Sequence, residues 1–228
     1  MKILVIAAHP DDEVLGCGGT IARAAAMGHR VTVMILGQGA ASRHEAPNDL
    51  ADAEIGRLAE SSRRAAALLG VSDVRFLGMP DNRFDSVDLL DIVKPIEALG
   101  REFEPTTVYI QHGGDLNIDH AITFRAALTA FRPLPETSVI EVLAFEVASS
   151  SEWAFGKFAP TFVADTFVDI SNHIDAKMEA MKAYAPELRE FPHPRSLEAL
   201  RMQAGERGSR VGVAAAEAFA TIWRRIRD

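Results

Sequence analysis

His9-Pro10-Asp11-Asp12-Glu13 sets one imidazole and three carboxylates in five consecutive positions. Carboxylates crowded together repel, and a divalent cation turns that repulsion into attraction. A second group of the same residue types follows far along the chain, His112-Gly113-Gly114-Asp115-Leu116-Asn117-Ile118-Asp119-His120. It holds two histidines, two aspartates and an asparagine. Catalytic zinc takes three nitrogen, oxygen or sulfur ligands from the protein and keeps one position open for water. His9, Asp12 and one histidine of the second group, His112 or His120, would supply that set. The His9-x-x-Asp12 spacing brings both side chains round a tight turn and leaves Asp11 free. A bound zinc ion lowers the pKa of its water to about 7. A spare carboxylate beside it can take the proton and deliver it to a leaving group. Cys17, among Gly16, Gly18 and Gly19, reads as a small buried residue rather than a thiolate ligand.

Strands must place both groups. Residues 2–8 form a continuous apolar run, as expected of a strand covered on both faces. A glycine-rich turn follows, then a helix over 20–27 that Gly28 closes. The alternation continues with a strand at 30–36, a helix at 49–69 and a strand at 74–77. Next come a helix at 87–103, which Pro95 should kink or divide, and a strand at 107–111. A helix at 119–131 and a strand at 139–145 complete the regular part. This order predicts an α/β, Rossmann-like, mostly parallel sheet with helices on both faces. Both chemical groups then lie at carboxyl ends of strands, on the edge where such sheets bind ligands.

Beyond residue 150 the pattern is less regular. Residues 162–170 alternate like a strand, and 172–183 read as a helix capped by Asn172. Residues 185–195 are a proline-punctuated loop, and 196–207 and 214–227 read as two last helices. With no repeat or linker, residues 1–228 read as one domain with an irregular C-terminal elaboration.

The 228 residues, 48% hydrophobic and 25% charged, suffice for a full core. The net charge of −8 argues against a nucleic-acid partner. One cysteine rules out an intrachain disulfide and fits a reducing compartment. The apolar start is too short for a signal peptide, and no run of about 18 apolar residues predicts a membrane span. A cytoplasmic protein is expected. The sequence leaves room for a homo-oligomer.

At its two chemical groups the chain resembles the PIG-L/LmbE family of metal-dependent N-deacetylases. The first signature is Ala8-His9-Pro10-Asp11-Asp12-Glu13 with Val14-Leu15-Gly16-Cys17-Gly18-Gly19-Thr20 after it, and the second is Asp115-Leu116-Asn117-Ile118-Asp119-His120. The resemblance implies an LmbE-like fold and zinc held by His9, Asp12 and His120, with other divalent metals acceptable to the same ligands. It implies hydrolysis of an acetamido group on a small amino sugar or sugar conjugate, by metal-bound water with Asp11 as general base. Some members carry a histidine three residues before the last ligand to steady the tetrahedral intermediate. Here that residue is Asn117, so Asn117, His112 and His193 are the expected sources of an oxyanion hydrogen bond.

Substrate contacts are expected from loops at the same edge. Arg43 follows the second strand, and Asp81 and Arg83 follow the third. In Phe191-Pro192-His193-Pro194-Arg195-Ser196 a histidine between two prolines is stiff. His193 and Arg195 are thus expected to close over the site, with Ser196 capping the next helix. Trp153 reads as buried rather than as a sugar platform, and Arg224, Arg225 and Arg227 as a solvated helix face. Two rivals use the same residues. One is a non-haem Fe(II) oxygenase with a two-histidine, one-carboxylate triad. The other is a non-catalytic sugar-nucleotide-binding module, whose support is the glycine-rich turn; that turn lacks the G-x-G-x-x-G spacing.

Overall fold

The computed structural model describes residues 1–39 and 49–226. Strand β1, Lys2–Ala7, is buried along all but its first residue. Side chains alternate across a strand with a period of two, so this apolar run feeds two cores. Ile3, Val5 and Ala7 pack toward α1 (Asp12–Ala26), α2 (Asp49–Leu68) and α6 (Ile174–Ala183). Leu4 and Ile6 pack toward α3 (Leu89–Phe103) and α4 (Ile118–Ala130). Each fully buried Leu or Ile contributes about 1.5–3 kcal/mol, which explains why the central strand carries no polar residue past Lys2.

The seven-stranded sheet has the order β3-β2-β1-β4-β5-β7-β6. Here β2 is Arg30–Gly37, β3 Asp73–Met79, β4 Thr107–Gln111, β5 Glu141–Phe145, β6 Thr166–Asp169 and β7 Ala216–Arg224. The five strands β1 to β5 pair in parallel, and β7 runs antiparallel to both β5 and β6. The expected mostly parallel α/β sheet with helices on both faces is what forms. Two further helices, α5 (Ser150–Trp153) and α7 (Leu197–Ser209), flank its C-terminal end. Ser196 caps α7, accepting from the Ala199 amide at 3.0 Å. Among the described residues, no helix is long and apolar enough to cross a membrane.

Three local expectations are corrected. Residues 214–226 do not form the expected helix, and Arg227 lies outside the described residues. Ala216–Arg224 is a strand inserted between β5 and β6, with Ala216, Glu217, Ala218 and Phe219 buried. Alanine-rich helical propensity is a small term beside a full set of ladder bonds and buried contacts. Arg224 accordingly meets Glu141 across the ladder at 2.9 Å instead of lining a helix face. Pro95 neither kinks the chain into two helices nor ends one, for α3 runs unbroken through it. The proline removes the bond to the Asp91 carbonyl, and Asp91 is exposed to solvent.

The third correction concerns the glycines. They are not a turn, because α1 begins at Asp12 and contains them. Its backbone leaves helical geometry at Cys17 (φ −145°, ψ 24°). In an unbroken helix the Gly19 amide would donate to the Leu15 carbonyl. Instead it donates to Glu217 Oε1 at 2.9 Å, and the Thr20 amide donates to Glu217 Oε2 at 2.7 Å. The freed Leu15 carbonyl accepts from Lys177 Nζ at 2.8 Å, and Lys177 and Glu217 pair at 2.7 Å. A buried ion pair from α6 and β7 thus fills the break in α1. Glycine is required where the broken helix meets its neighbours. A Cβ on Gly19 would lie 2.7–2.9 Å from Ile170 side-chain atoms, and one on Gly16 would overlap the Phe145 ring.

This joint makes two substitutions costly. Lys177→Met strands a buried carboxylate and is expected to cost about 3–5 kcal/mol. Gly19→Ala is expected to cost about 1–3 kcal/mol by overpacking. Urea unfolding of each purified variant measures both losses, and a midpoint unchanged from wild type would contradict them.

Candidate metal centre

The chain leaves β1 and β4, neighbours in parallel, at the same edge of the sheet. From β1 it turns through His9 into α1, and from β4 through His112 to Asn117 into α4. Successive crossovers go opposite ways from this pair, the arrangement that opens a ligand crevice in doubly wound sheets. His9 Nδ1 lies 3.5 Å from Asp12 Oδ2, and His120 Nε2 lies 3.3 Å from the same oxygen. The three side chains offer ligand atoms all within 4.8 Å of one another, and each is buried.

Asp12 stands in the first turn of α1. Its Oδ2 accepts from the His9 amide at 2.8 Å and from Gln111 Nε2 at 2.7 Å. Gln111 Oε1 in turn accepts from the Ala8 amide, which ties the ends of β1 and β4 together. Asp12 Oδ1 has no hydrogen-bond partner among the described residues although it is buried. An unsatisfied buried carboxylate oxygen is costly. On a carboxylate that two imidazoles approach, such an oxygen is what a divalent cation would satisfy, so the donor set fits such an ion.

Carboxylates behind the two rings set their orientation. Asp119 Oδ2 is 2.9 Å from His9 Nε2, while its Oδ1 accepts from the Phe84 amide at 3.0 Å. Asp115 Oδ2 is 3.0 Å from His120 Nδ1 and also accepts from Ser151 Oγ at 3.3 Å. Such contacts turn the other nitrogen of each ring inward and raise its basicity. A second grouping, His9 with Asp81 and Asp119, uses the far nitrogen of His9. That nitrogen is already held by Asp119, and the unpartnered oxygen belongs to Asp12, so the first grouping is the better ion site.

The local field is strongly anionic. Burial alone would push the His9 pKa down, but hydrogen bonds to Asp119 and Asp12 outweigh it and raise the pKa to about 10. The same contest, with Asp12 and Asp115, brings His120 up to about 9. Burial acts to raise the Asp12 pKa, yet the two imidazoles together hold it well below the usual carboxylate range. A field that stabilises imidazolium also stabilises a metal cation.

Asp11 is set apart from these groups. It precedes α1 in a left-handed conformation (φ 98°), and its side chain makes no capping bond. Its amide donates to Glu13 Oε2 at 3.1 Å, and its Oδ2 accepts from Arg195 Nη1 at 3.1 Å. Burial raises its pKa to about 7, against the opposing charge of Arg195. Glu13, buried and raised to about 8 chiefly by desolvation, accepts from the Tyr184 hydroxyl.

The other expected site residues divide. Asp81 is buried, with Oδ1 3.3 Å from His9 Nε2. Arg83 is exposed, and Arg43 lies outside the described residues. His112 takes no part in either ion grouping. Its Nε2 donates to the Pro160 carbonyl at 2.7 Å, and its ring lies against Phe124 and Phe162. Asn117 caps α4: Oδ1 accepts from the Asp119 amide at 2.9 Å, and Nδ2 donates to Asn82 Oδ1 at 3.0 Å. Of the expected oxyanion donors, His112 spends its Nε2 proton on Pro160 and Asn117 spends one of its two Nδ2 protons on Asn82. His193 Nδ1 accepts from the Arg195 amide at 3.0 Å, which leaves the ring proton on Nε2. Trp153, expected to be buried, is 43% exposed and packs edge-on against His193 with centroids 5.2 Å apart. Arg195, expected on substrate, instead reaches Asp11 and Ser149. Sequence reasoning missed Gln111, whose only signal is a polar residue ending an apolar strand. It also missed Tyr184 and Ser149, which carry no local signal.

Comparison with known proteins agrees with this geometry. The family model described as PIG-L, GlcNAc-PI de-N-acetylase, matches residues 4–131. The chain is similar to 1D-myo-inositol 2-acetamido-2-deoxy-alpha-D-glucopyranoside deacetylase 1 of Saccharopolyspora erythraea, 30% identical, covering 82% of this chain and 78% of the relative. Among solved structures it is similar to the conserved protein TT1542 of Thermus thermophilus (25% identity, TM-score 0.74, 99% and 96% of the two chains). It also shares its fold with the 4-carboxy-2-hydroxymuconate hydratase GalB of Pseudomonas putida (22% identity, TM-score 0.79, 100% and 98%). The fold therefore does not by itself name a reaction. The matched segment holds both strand ends and all three residues of the candidate ion site, and the chain belongs to the PIG-L family.

Proposed function

We propose that this protein is a metal-dependent hydrolase that removes the acetyl group from an N-acetylated amino sugar or sugar conjugate. One observation carries the reading: the buried Asp12 carboxylate, whose Oδ2 faces two imidazoles that are each backed by a carboxylate and whose Oδ1 has no hydrogen-bond partner among the described residues. Family membership and the acetamido sugar in the Saccharopolyspora relative's name support the substrate class. Zinc suits two imidazole nitrogens and one carboxylate oxygen, which His9, His120 and Asp12 would supply. When bound, such an ion polarises an amide carbonyl and lowers the pKa of water to about 7.

The chain's own groups supply the rest. Asp11, with a pKa near neutrality, takes a proton from water and returns it to the leaving amine. Asp119 and Asp115 keep the His9 and His120 rings turned toward Asp12. His193 carries an Nε2 proton suited to the carbonyl oxygen as it gains charge. Asp81 beside His9 and Arg83 after β3 are proposed to meet sugar hydroxyls.

Two measurements test this. His9→Ala and His120→Ala are expected to lose bound metal in elemental analysis of the purified protein, while wild type holds about one ion per chain. Asp11→Asn is expected to keep its metal and lose about 10²–10⁴-fold in turnover, read as acetate released from N-acetylglucosamine conjugates. Metal retained in both histidine variants would remove the ion site. Wild-type acetate release by Asp11→Asn would remove Asp11 from the chemistry. Oxygen consumption by iron-loaded protein, without acetate release, would favour the oxygenase instead.

A further inference from the structure

We infer that Arg195 is a positioning residue for Asp11, clamping its carboxylate from a loop outside the family-matched segment. The inference rests on the proton-transfer role proposed for Asp11. Asp11 needs a restraint, because a left-handed φ of 98° is unfavourable for a residue with a Cβ. Its side chain makes no bond to the start of α1. Its backbone is held by its amide on Glu13 Oε2 and by its carbonyl, which accepts from the Val14 and Leu15 amides, while Arg195 Nη1 holds its carboxylate through Oδ2. The arginine contact fixes one carboxylate oxygen and with it the side-chain rotamer.

The guanidinium is itself held. Its Nε donates to Ser149 Oγ at 3.0 Å. Ser149 is another non-glycine residue with positive φ (75°), locked by its amide on Glu152 Oε2 at 2.7 Å. Arg195 thus ties the loop after β1 to the loop after β5. A rigid planar fork can set the angle between two such partners, whereas the ammonium of lysine is a point charge on a flexible stem. The loop behind Arg195 is stiff too. Pro192 and Pro194 flank His193, the Arg195 amide donates to His193 Nδ1, and Ser196 caps α7. The Arg195 side chain is 23% exposed and that of Asp11 only 3%, so the contact is largely shielded from water. An arginine kept for an anionic substrate would hold its fork toward solvent, and here Nε and Nη1 are spent on the protein.

The test compares wild type with Arg195→Ala, Arg195→Lys and Ser149→Ala. Kinetics use the acetamido conjugate that wild type hydrolyses. Arg195→Ala is expected to lower kcat about 100-fold, with KM within about threefold of wild type and metal content unchanged. Millimolar guanidinium is expected to restore part of that kcat. Arg195→Lys is expected to fall between wild type and Ala, because it keeps the charge but not the bridge. Ser149→Ala should lower kcat less, and add little on top of Arg195→Ala. A raised KM with wild-type kcat would make Arg195 a substrate contact and overturn the inference. A structural readout stands independently of turnover. Crystal structures of wild type and Arg195→Ala are expected to differ in the φ or side-chain rotamer of Asp11. An Asp11 unmoved in the variant overturns the clamp even if wild type hydrolyses no conjugate, an outcome that would separately sink the deacetylase reading.

Discussion

Everything at the site is organised around one buried carboxylate, Asp12, with two imidazoles against one face and an oxygen left unpaired. Burying an unpaired charge is among the costliest things a fold can do. The surroundings offset that cost in layers. Gln111 and the His9 amide satisfy Oδ2. His9 and His120 face the same group, and Asp119 and Asp115 hold them from behind. The same anionic surroundings raise the pKa values of both imidazoles. The arrangement therefore favours a cation by electrostatics as well as by its donor types.

Holding that carboxylate still requires the rest of the chain. Asp12 sits at the start of α1, and α1 is broken only one turn or so further on, at Cys17. The break is closed by Lys177 and Glu217, from α6 and from the last strand. A helix left open there would expose two amides and one carbonyl in the core, which interiors do not tolerate. The C-terminal part is thus coupled to the metal-facing end of α1 through main-chain hydrogen bonds. Arg195 and Tyr184 reach the same end from other directions, through Asp11 and Glu13. Residues beyond the matched segment 4–131 frame a centre whose ion-facing side chains all lie within it.

Much of this was legible in advance. The apolar run of β1 announces a strand buried on two faces, because only a doubly covered strand tolerates no polar position. The alternation of strand and helix patterns limits the topology to a right-handed parallel sheet. Topology then brings His9, Asp12 and His120 to one edge whatever their separation in sequence. The correct ranges for β4 and the Ser196 cap came from the same local rules. Local rules misjudged β7, because a short alanine-rich segment reads as helix until neighbouring strands offer it a ladder. They misjudged the glycines too, since close packing against Phe145 and Ile170 is invisible without the partners.

Residue types and spacing alone pointed to the candidate donors His9 and Asp12 with His112 or His120, to the strand ends that carry them and to the spare carboxylate of Asp11. These follow from short-range chemistry and from the rule that parallel strands share one active edge. Only the tertiary structure decided which histidine faces Asp12, which carboxylate steadies which ring, and what Arg195 holds. Those outcomes depend on distances between segments far apart in the chain. Angstrom-scale placement of a ring nitrogen or a guanidinium is set by packing, not by the identity of its sequence neighbours.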